Sequence, residues 1–173
     1  MDDGDLVAVL LESQRLGFLG RREISEVIEH ARHFVSGLEG VTGRVADIGA
    51  GGGVPGLVVA HDRPDLKITL IDRRATRMDF VRRSVRRLGW DDRVSVVTSD
   101  VDELEDAFDA VIARGFGPPT STLRSARRLL TPAGIIVVSE PPDGDRWDAA
   151  VVTELGLTRR AAEPTSSIAV FGS

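Results

Sequence analysis

Glycines and acids cluster in this chain at the ends of apolar runs, and that placement says where its chemistry belongs. Arg44-Val-Ala-Asp47-Ile48 is followed by Gly49, Gly51, Gly52, Gly53 and Gly56. Val45 to Ile48 reads as a short buried strand, and the glycines that follow must form a tight turn. Pro55 suits the first position of a helix, where a missing N–H costs nothing, and the helix continues through Leu57 to Ala60. A strand, glycine turn and helix in that order make a nucleotide-binding unit, whose ligand lies at the carboxyl end of the strand. Lys67-Ile-Thr-Leu-Ile-Asp72 is a second strand ending in an acid. Arg93-Val-Ser-Val-Val-Thr98 is a third and leads into Ser99-Asp100-Val101-Asp102.

The glycine run admits two registers. Gly51, Gly53 and Gly56 spell G-x-G-x-x-G, the dinucleotide fingerprint that brings a pyrophosphate to a helix amino terminus. Its register is poor, because Asp47 and Gly49 already mark the end of the strand. The other register, D-x-G-x-G-x-G from Asp47 through Gly49, Gly51 and Gly53, resembles motif I of the class I S-adenosylmethionine methyltransferases. In that family the turn packs against an amino acid moiety and a sulfonium. A carboxylate has a physical use beside an ammonium or sulfonium and little beside a phosphate, so the second register is preferred. Asp72 does not discriminate, since an acid there accepts hydrogen bonds from ribose hydroxyls in either class. An acid after the third strand, Asp100 or Asp102, resembles the one that class I enzymes place at the adenine amino group. The simpler use of either residue is to cap a short following helix, and the two roles are compatible.

Composition bounds the alternatives. With 173 residues, 42% of them apolar, a single domain with a sizeable core is expected. No stretch approaches the ~20 apolar residues that span a bilayer. The acidic amino terminus does not resemble a secretory signal, and the cytoplasm is the expected compartment. Without cysteine there is no thiol nucleophile and no disulfide framework. Three scattered histidines have no metal-ligand spacing, so no metal is expected.

The elements that must position these residues follow from periodicity. Asp5 to Leu16 and Arg22 to Leu38 read as two helices, the second with Ile24, Val27, Ile28, Ala31, Phe34, Val35 and Leu38 on one face. They form an N-terminal helical cover over residues 1–43, placed on the sheet or at the ligand entrance. The remainder, 44–173, alternates strands and helices. It predicts a helix from Thr76 to Leu88, strands at Val94–Ser99 and Phe108–Ala113, and a helix over Leu123–Leu130. Pro132-Ala-Gly134 is a turn before a fifth strand, Ile135–Ser139. Trp147–Leu155 follows as a helix, and Leu157–Ala162 and Ser167–Phe171 close the fold as strands joined by Glu163-Pro164. The expectation is an α/β fold of Rossmann-like class I methyltransferase type. Its seven-stranded sheet is mainly parallel, with helices on both faces.

Closer inspection narrows the resemblance. Asp47-Ile-Gly-Ala-Gly-Gly-Gly-Val-Pro-Gly56 is similar to D-I-G-S-G-A-G-F-P-G. That is a signature of the small-subunit ribosomal RNA guanine methyltransferases (RsmG, or glucose-inhibited division protein B), which act on the ring 7-nitrogen. The segment from Glu29 to Leu38 resembles that family's R-H-x-x-D-S-L, with His33 on the histidine. Leu70-Ile-Asp72 with Arg77 and Phe80-Val81 resembles L-x-E/D-S-x-x-K-R-x-x-F-L. Phe108-Asp-Ala-Val-Ile-Ala-Arg114 resembles F-D-x-V-x-x-R-A. The similarity runs from about Glu29 to Glu140. It implies S-adenosyl-L-methionine as cofactor, with contacts from Asp47, Gly49, Gly51, Gly53 and Val54 in the first turn. It implies Asp72 at the ribose, Asp100, Val101 and Asp102 at the adenine, and Arg114 at the cofactor edge facing substrate, where a guanidinium orients a phosphate or a base carbonyl. The alternative for Arg114 is a salt bridge to an acid closing a neighbouring strand.

Departures fall on the substrate side. The family's arginine before A-E is Asp100 here, its K-G pair after the fifth strand is Ser139-Glu140, and its D-S is Ser36-Gly37. Its W-N-x-x-x-N-L-T element is absent. Methylation at the 7-nitrogen uses an available lone pair and releases no proton from that atom. It asks for alignment and exclusion of water rather than a general base, so no catalytic residue is assigned. Glu140-Pro-Pro-Asp143 superficially resembles the D-P-P-Y loop of amino-methylating enzymes but lacks its aromatic, and reads as a turn. The net charge is −5, yet arginines cluster at 73, 74, 77, 82, 83, 86 and 87. They are either an RNA-tracking patch or the solvated face of an amphipathic helix. The functional expectation is a ribosomal RNA guanine methyltransferase. The alternatives are a small-molecule methyltransferase on the same fold, or a cofactor-binding module without catalysis.

Overall fold

The computed structural model describes residues 3–141, 146–161 and 167–172. Helices α1 (Asp3–Arg15) and α2 (Ile24–Gly37) precede strand β1 (Arg44–Ile48). Then come α3 (Gly56–Asp62), β2 (Lys67–Asp72), α4 (Ala75–Arg87), β3 (Val94–Thr98) and a 3-10 turn at Val101–Glu103. The chain continues with β4 (Phe108–Ala113), α5 (Pro119–Arg128), β5 (Leu130–Ser139), α6 (Ala149–Glu154), β6 (Thr158–Arg160) and β7 (Ile168–Gly172).

The strands form one sheet in the order β3-β2-β1-β4-β5-β7-β6. β1 to β5 pair in parallel, while β7 runs antiparallel to both β5 and β6. The mainly parallel seven-stranded sheet therefore matches expectation, and its two closing strands form an antiparallel pair. The order reverses at β1, where β2 lies on one side and β4 on the other. In a doubly wound sheet that switch point is where a ligand crevice opens.

Strand residues alternate between two cores, as a two-residue period requires. Val45, Ala110, Ile112, Ile135 and Val137 pack with α1 to α4. Ala46, Val111, Ile136 and Val138 pack with Leu123 and Ala126 of α5, and with Trp147 and Phe171. The predicted apolar face of α2 is buried at Ile24, Val27, Ile28, Ala31, Phe34 and Leu38.

Several boundaries differ from the sequence reading, each for a local reason. α3 begins at Gly56, with Pro55 preceding the helix rather than opening it. β5 begins at Leu130, which pairs with Phe108 across a register shift before regular pairing resumes at Ala110 with Ile135. Leu130 thus belongs to the strand, and the Pro132-Ala-Gly134 segment is an irregularity inside it. α6 starts at Ala149 because Asp148 caps it, accepting the Ala150 N–H at 2.8 Å. Trp147 instead packs edge-on against Phe171 at 5.5 Å. β6 is confined to Thr158–Arg160. The expected Glu163-Pro164 connection lies outside the described residues, as do Pro142 and Asp143 of the loop after Glu140. No helix of the described residues is long and apolar enough to cross a membrane.

Candidate donor and acceptor site

The glycine turn after β1 is pinned from both sides. The Ala50 N–H donates to the Ile71 carbonyl at 2.9 Å, and the Gly51 N–H donates to Asp72 Oδ2 at 3.0 Å. Asp72 Oδ1 accepts the Arg74 N–H at 2.9 Å. The acid closing β2 thus orders both loops around it and keeps a second lone pair on each oxygen. Gly49 and Gly56 have no room for side chains. A Cβ on Gly49, whose φ is +71°, would lie 2.9 Å from Phe116 Cδ2. One on Gly56 would lie 2.2 Å from Leu70 Cδ2 and 2.5 Å from Asp47 Oδ2.

A cavity of about 320 Å³ opens over this turn at the carboxyl ends of β1, β2, β3 and β4. Gly49, Gly51, Val54, Asp72, Asp100, Val101 and Arg114 all line it, so seven of the ten residues picked out from the sequence converge. Asp47, Gly53 and Asp102 stand outside the lining. Asp47 is fully buried, and its Oδ2 accepts the Gly56 N–H at 2.8 Å. Its carboxylate therefore holds the turn rather than facing a ligand. Gly53 leaves room for Leu57, whose Cδ1 lies 2.5 Å from where a Cβ would stand. Asp102 is exposed and turned toward α5, where it accepts the Ser125 hydroxyl at 3.1 Å and faces Arg128 at 3.8 Å. Of the two uses weighed for Asp100, the cap on the 3-10 turn is present, with the Asp102 N–H accepted at 3.1 Å, and the residue also faces the cavity.

The electrostatics of the site centre on two residues. Burial pushes the Asp47 carboxyl up to about 7, with the Gly56 N–H and the Arg114 charge opposing and Asp72 adding to the rise. Burial also pulls the Arg114 guanidinium down, against the attraction of Asp47. Arg114 makes no salt bridge among the described residues.

Sequence reasoning missed much of the wall. Phe18 and Leu19, from the turn between α1 and α2, close one side, and Phe116 after β4 closes another. Ser13 donates its hydroxyl to the Gly52 carbonyl at 2.9 Å, fastening this cover to the glycine turn. The spacing Gly17-Phe-Leu-Gly20, two apolar residues on a glycine-bounded turn, was the available signal. α2 covers the sheet instead, so the two helices divide the expected tasks. Arg73, Arg74 and Arg77 also line the cavity.

Beside Arg114 stands a second group. Ser167 Oγ lies 2.7 Å from His33 Nδ1 and 2.9 Å from His30 Nδ1, and the Ser167 N–H donates to His33 Nδ1 at 3.2 Å. Burial, then the charges of Arg114, His33 and Arg22, lower the pKa of His30. The Ser167 carbonyl accepts the Glu140 N–H at 2.8 Å. Glu140 pairs with Arg159 through Oε2, while its Oε1 is buried without a partner. Among the described residues no three His, Asp or Glu side chains converge as metal ligands.

Known proteins can be set beside this geometry. The family model for rRNA small subunit methyltransferase G matches residues 6–140. The ribosomal RNA small subunit methyltransferase G of Acidothermus cellulolyticus is 33% identical over 126 residues, covering 70% of this chain and 55% of that protein. Its counterpart from Sorangium cellulosum is 33% identical over 138 residues, covering 74% and 57%. The chain thus spans about half the length of the curated relatives it matches. Among solved structures, an O-methyltransferase family protein from Burkholderia thailandensis superposes with a TM-score of 0.65. It is 15% identical, and the match covers 85% of this chain and 57% of that one. The precorrin-6y C5,15-methyltransferase of Geobacter metallireducens gives 0.61 at 18% identity, covering 83% and 85%. These structural likenesses establish the class I methyltransferase fold. The match over residues 6–140 and the aligned relatives place this chain in the rRNA small subunit methyltransferase G family.

Proposed function

We propose that the chain transfers a methyl group from S-adenosyl-L-methionine to the 7-nitrogen of a guanine in small-subunit ribosomal RNA. The observation that carries this reading is the cavity over the glycine turn. Asp72 and Asp100 close two successive strands at its wall, and Arg114 closes a third. The residues present fit the cofactor. The floor at Gly49 and Gly51 is bare backbone, and Asp72 has acceptor capacity left after its two backbone bonds. Phe18 and Phe116 supply apolar walls.

When bound, S-adenosyl-L-methionine supplies an electrophilic methyl group. The protein's part is to hold and to align. Asp72 accepts from ribose hydroxyls, Asp100 and the backbone of Val101 meet the adenine edge, and the glycine turn receives the amino acid end. Arg114 stands on the acceptor side, where its guanidinium donates to a base carbonyl or a phosphate. The 7-nitrogen carries no proton to remove, so alignment and exclusion of water perform the catalysis.

A second reading, a small-molecule acceptor, is favoured by Glu140. An acid with one buried, unpartnered oxygen stands where the family has a cation. The third reading is a cofactor-binding module without catalysis. Isothermal titration with S-adenosylhomocysteine, followed by radiolabelled methyl transfer to small-subunit particles lacking the modification, separates the first reading from the other two. Binding with transfer supports the proposal. Binding without transfer to the particle removes the ribosomal acceptor, and no binding removes the donor.

A further inference from the structure

The arginine run from Arg73 to Arg87 divides in two. Along the outer part of α4, Arg82 pairs with Asp79 at 2.8 Å, Arg86 with Asp91 at 3.8 Å and Arg87 with Glu12 at 3.5 Å. At the inner end, Arg73, Arg74 and Arg77 line the cavity, and among the described residues none of the three has a carboxylate partner. Arg77 is held in place over the Phe18 ring at 5.9 Å, and its Nη1 lies 3.5 Å from where a Cβ on Gly51 would stand. Arg73 and Arg74 are exposed at the rim.

With Arg114, four arginines face the two aspartates of the wall, Asp72 and Asp100. Both aspartates already accept backbone N–H groups. The cavity is therefore cationic. The methyl donor cannot correct that, because its sulfonium and ammonium outnumber its one carboxylate. Arg73 and Arg74 are exposed at the rim, so the rim is open to a further, anionic ligand. A phosphate suits, since guanidinium forks grip phosphate oxygens in pairs.

We infer that Arg73, Arg74 and Arg77 form a phosphate subsite on the rim of the donor cavity. It takes a backbone phosphate of the polynucleotide acceptor, and filling it strengthens donor binding. The inference rests on the ribosomal RNA reading above and adds which residues hold the acceptor strand. The coupling is reciprocal, so bound donor strengthens RNA binding by the same factor.

The test uses a labelled hairpin of small-subunit ribosomal RNA in anisotropy titrations, together with calorimetry of sinefungin, a non-transferring donor analogue with an ammonium in place of the sulfonium, with and without that RNA. The proteins are the parent chain, the double variant Arg73→Glu/Arg74→Glu, and Arg83→Glu. Arg83 is an exposed arginine of the same helix outside the cavity wall. Expected for the double variant is RNA affinity at least about tenfold weaker. Its salt dependence should be shallower by about one to two in the log–log slope, as loss of one or two phosphate contacts requires. The RNA-induced gain in sinefungin affinity, several-fold in the parent, should vanish. Arg83→Glu should stay within about twofold of the parent in RNA affinity, and coincident melting curves verify that all three are folded. A double variant that binds RNA like the parent overturns the subsite and leaves the acceptor reading standing. A parent chain that binds no RNA overturns the acceptor reading and the subsite with it.

Discussion

Asp47 accepts the Gly56 N–H at 2.8 Å through one oxygen and buries the other without a partner. The bond joins the end of β1 to the first residue of α3 and so sets the mouth of the glycine turn. It also places an ionisable group where ionisation is costly, which gives the protein a pH dependence that can be measured.

Burial raises the Asp47 carboxyl from its ordinary 3.8 to about 7. Between about pH 4 and pH 7 the unfolded chain has lost this proton while the folded chain still holds it. Stability therefore falls as pH rises through that window, by up to about 4 kcal/mol. Asp47→Asn keeps an acceptor for Gly56 and has no charge to bury. It is expected to flatten this part of the profile and to melt above the parent at pH 8. Thermal melts at pH 5 and pH 8 check this, and equal slopes for parent and variant refute it.

Gly56→Ala puts a methyl group against Leu70 and the Asp47 carboxylate, at 2.2 Å and 2.5 Å. Neither neighbour is free to retreat, since both are fully buried. A loss of about 1–3 kcal/mol is expected, with weakened S-adenosylhomocysteine binding because the turn shifts. Chemical denaturation and calorimetry read the two effects separately.

The acids after β3 should separate cleanly. Asp100→Ala removes a cavity-wall carboxylate, and about a tenfold loss of S-adenosylhomocysteine affinity is expected, the size of one charge-assisted hydrogen bond. Asp102→Ala removes a group turned toward Ser125 and Arg128, and donor affinity should stay within about twofold. The reverse ranking would return the adenine contact to Asp102.

His30 gives the acid side of the stability profile. Burial, Arg114, His33 and Arg22 hold its pKa below 6.5, so the unfolded chain takes up the proton first as pH drops. Stability is lost as pH falls below about 6.5, opposite in sign to the Asp47 effect. His30→Gln should flatten that limb. Ser167→Ala, which leaves both Nδ1 atoms without the shared hydroxyl, should cost about 1 kcal/mol at neutral pH.

What local order dictates was readable from the chain alone. The strand before Gly49, the alternation of Val45, Ala110, Ile112 and their neighbours, and the buried face of α2 all follow from periodicity, because side-chain spacing is set by backbone geometry. Glycines and acids at strand ends marked the side of the sheet on which the cavity opens. What side chains do once elements meet was not readable. Asp47 and Asp72 look alike in sequence, each ending a strand before a loop. Packing of α3 on the sheet leaves one buried on the Gly56 N–H and the other at the cavity wall. The arginines of α4 are likewise equivalent by composition. Arg82 has its acid one turn back at Asp79 and Arg86 meets Asp91 just past the helix, whereas the fold brings Glu12 to Arg87 and carries the inner arginines to the cavity. The pairing of Arg87 with Glu12 and the convergence of Phe18, Arg77, Asp100 and Arg114 on one cavity depend on contacts between residues far apart in the chain, which no local pattern encodes.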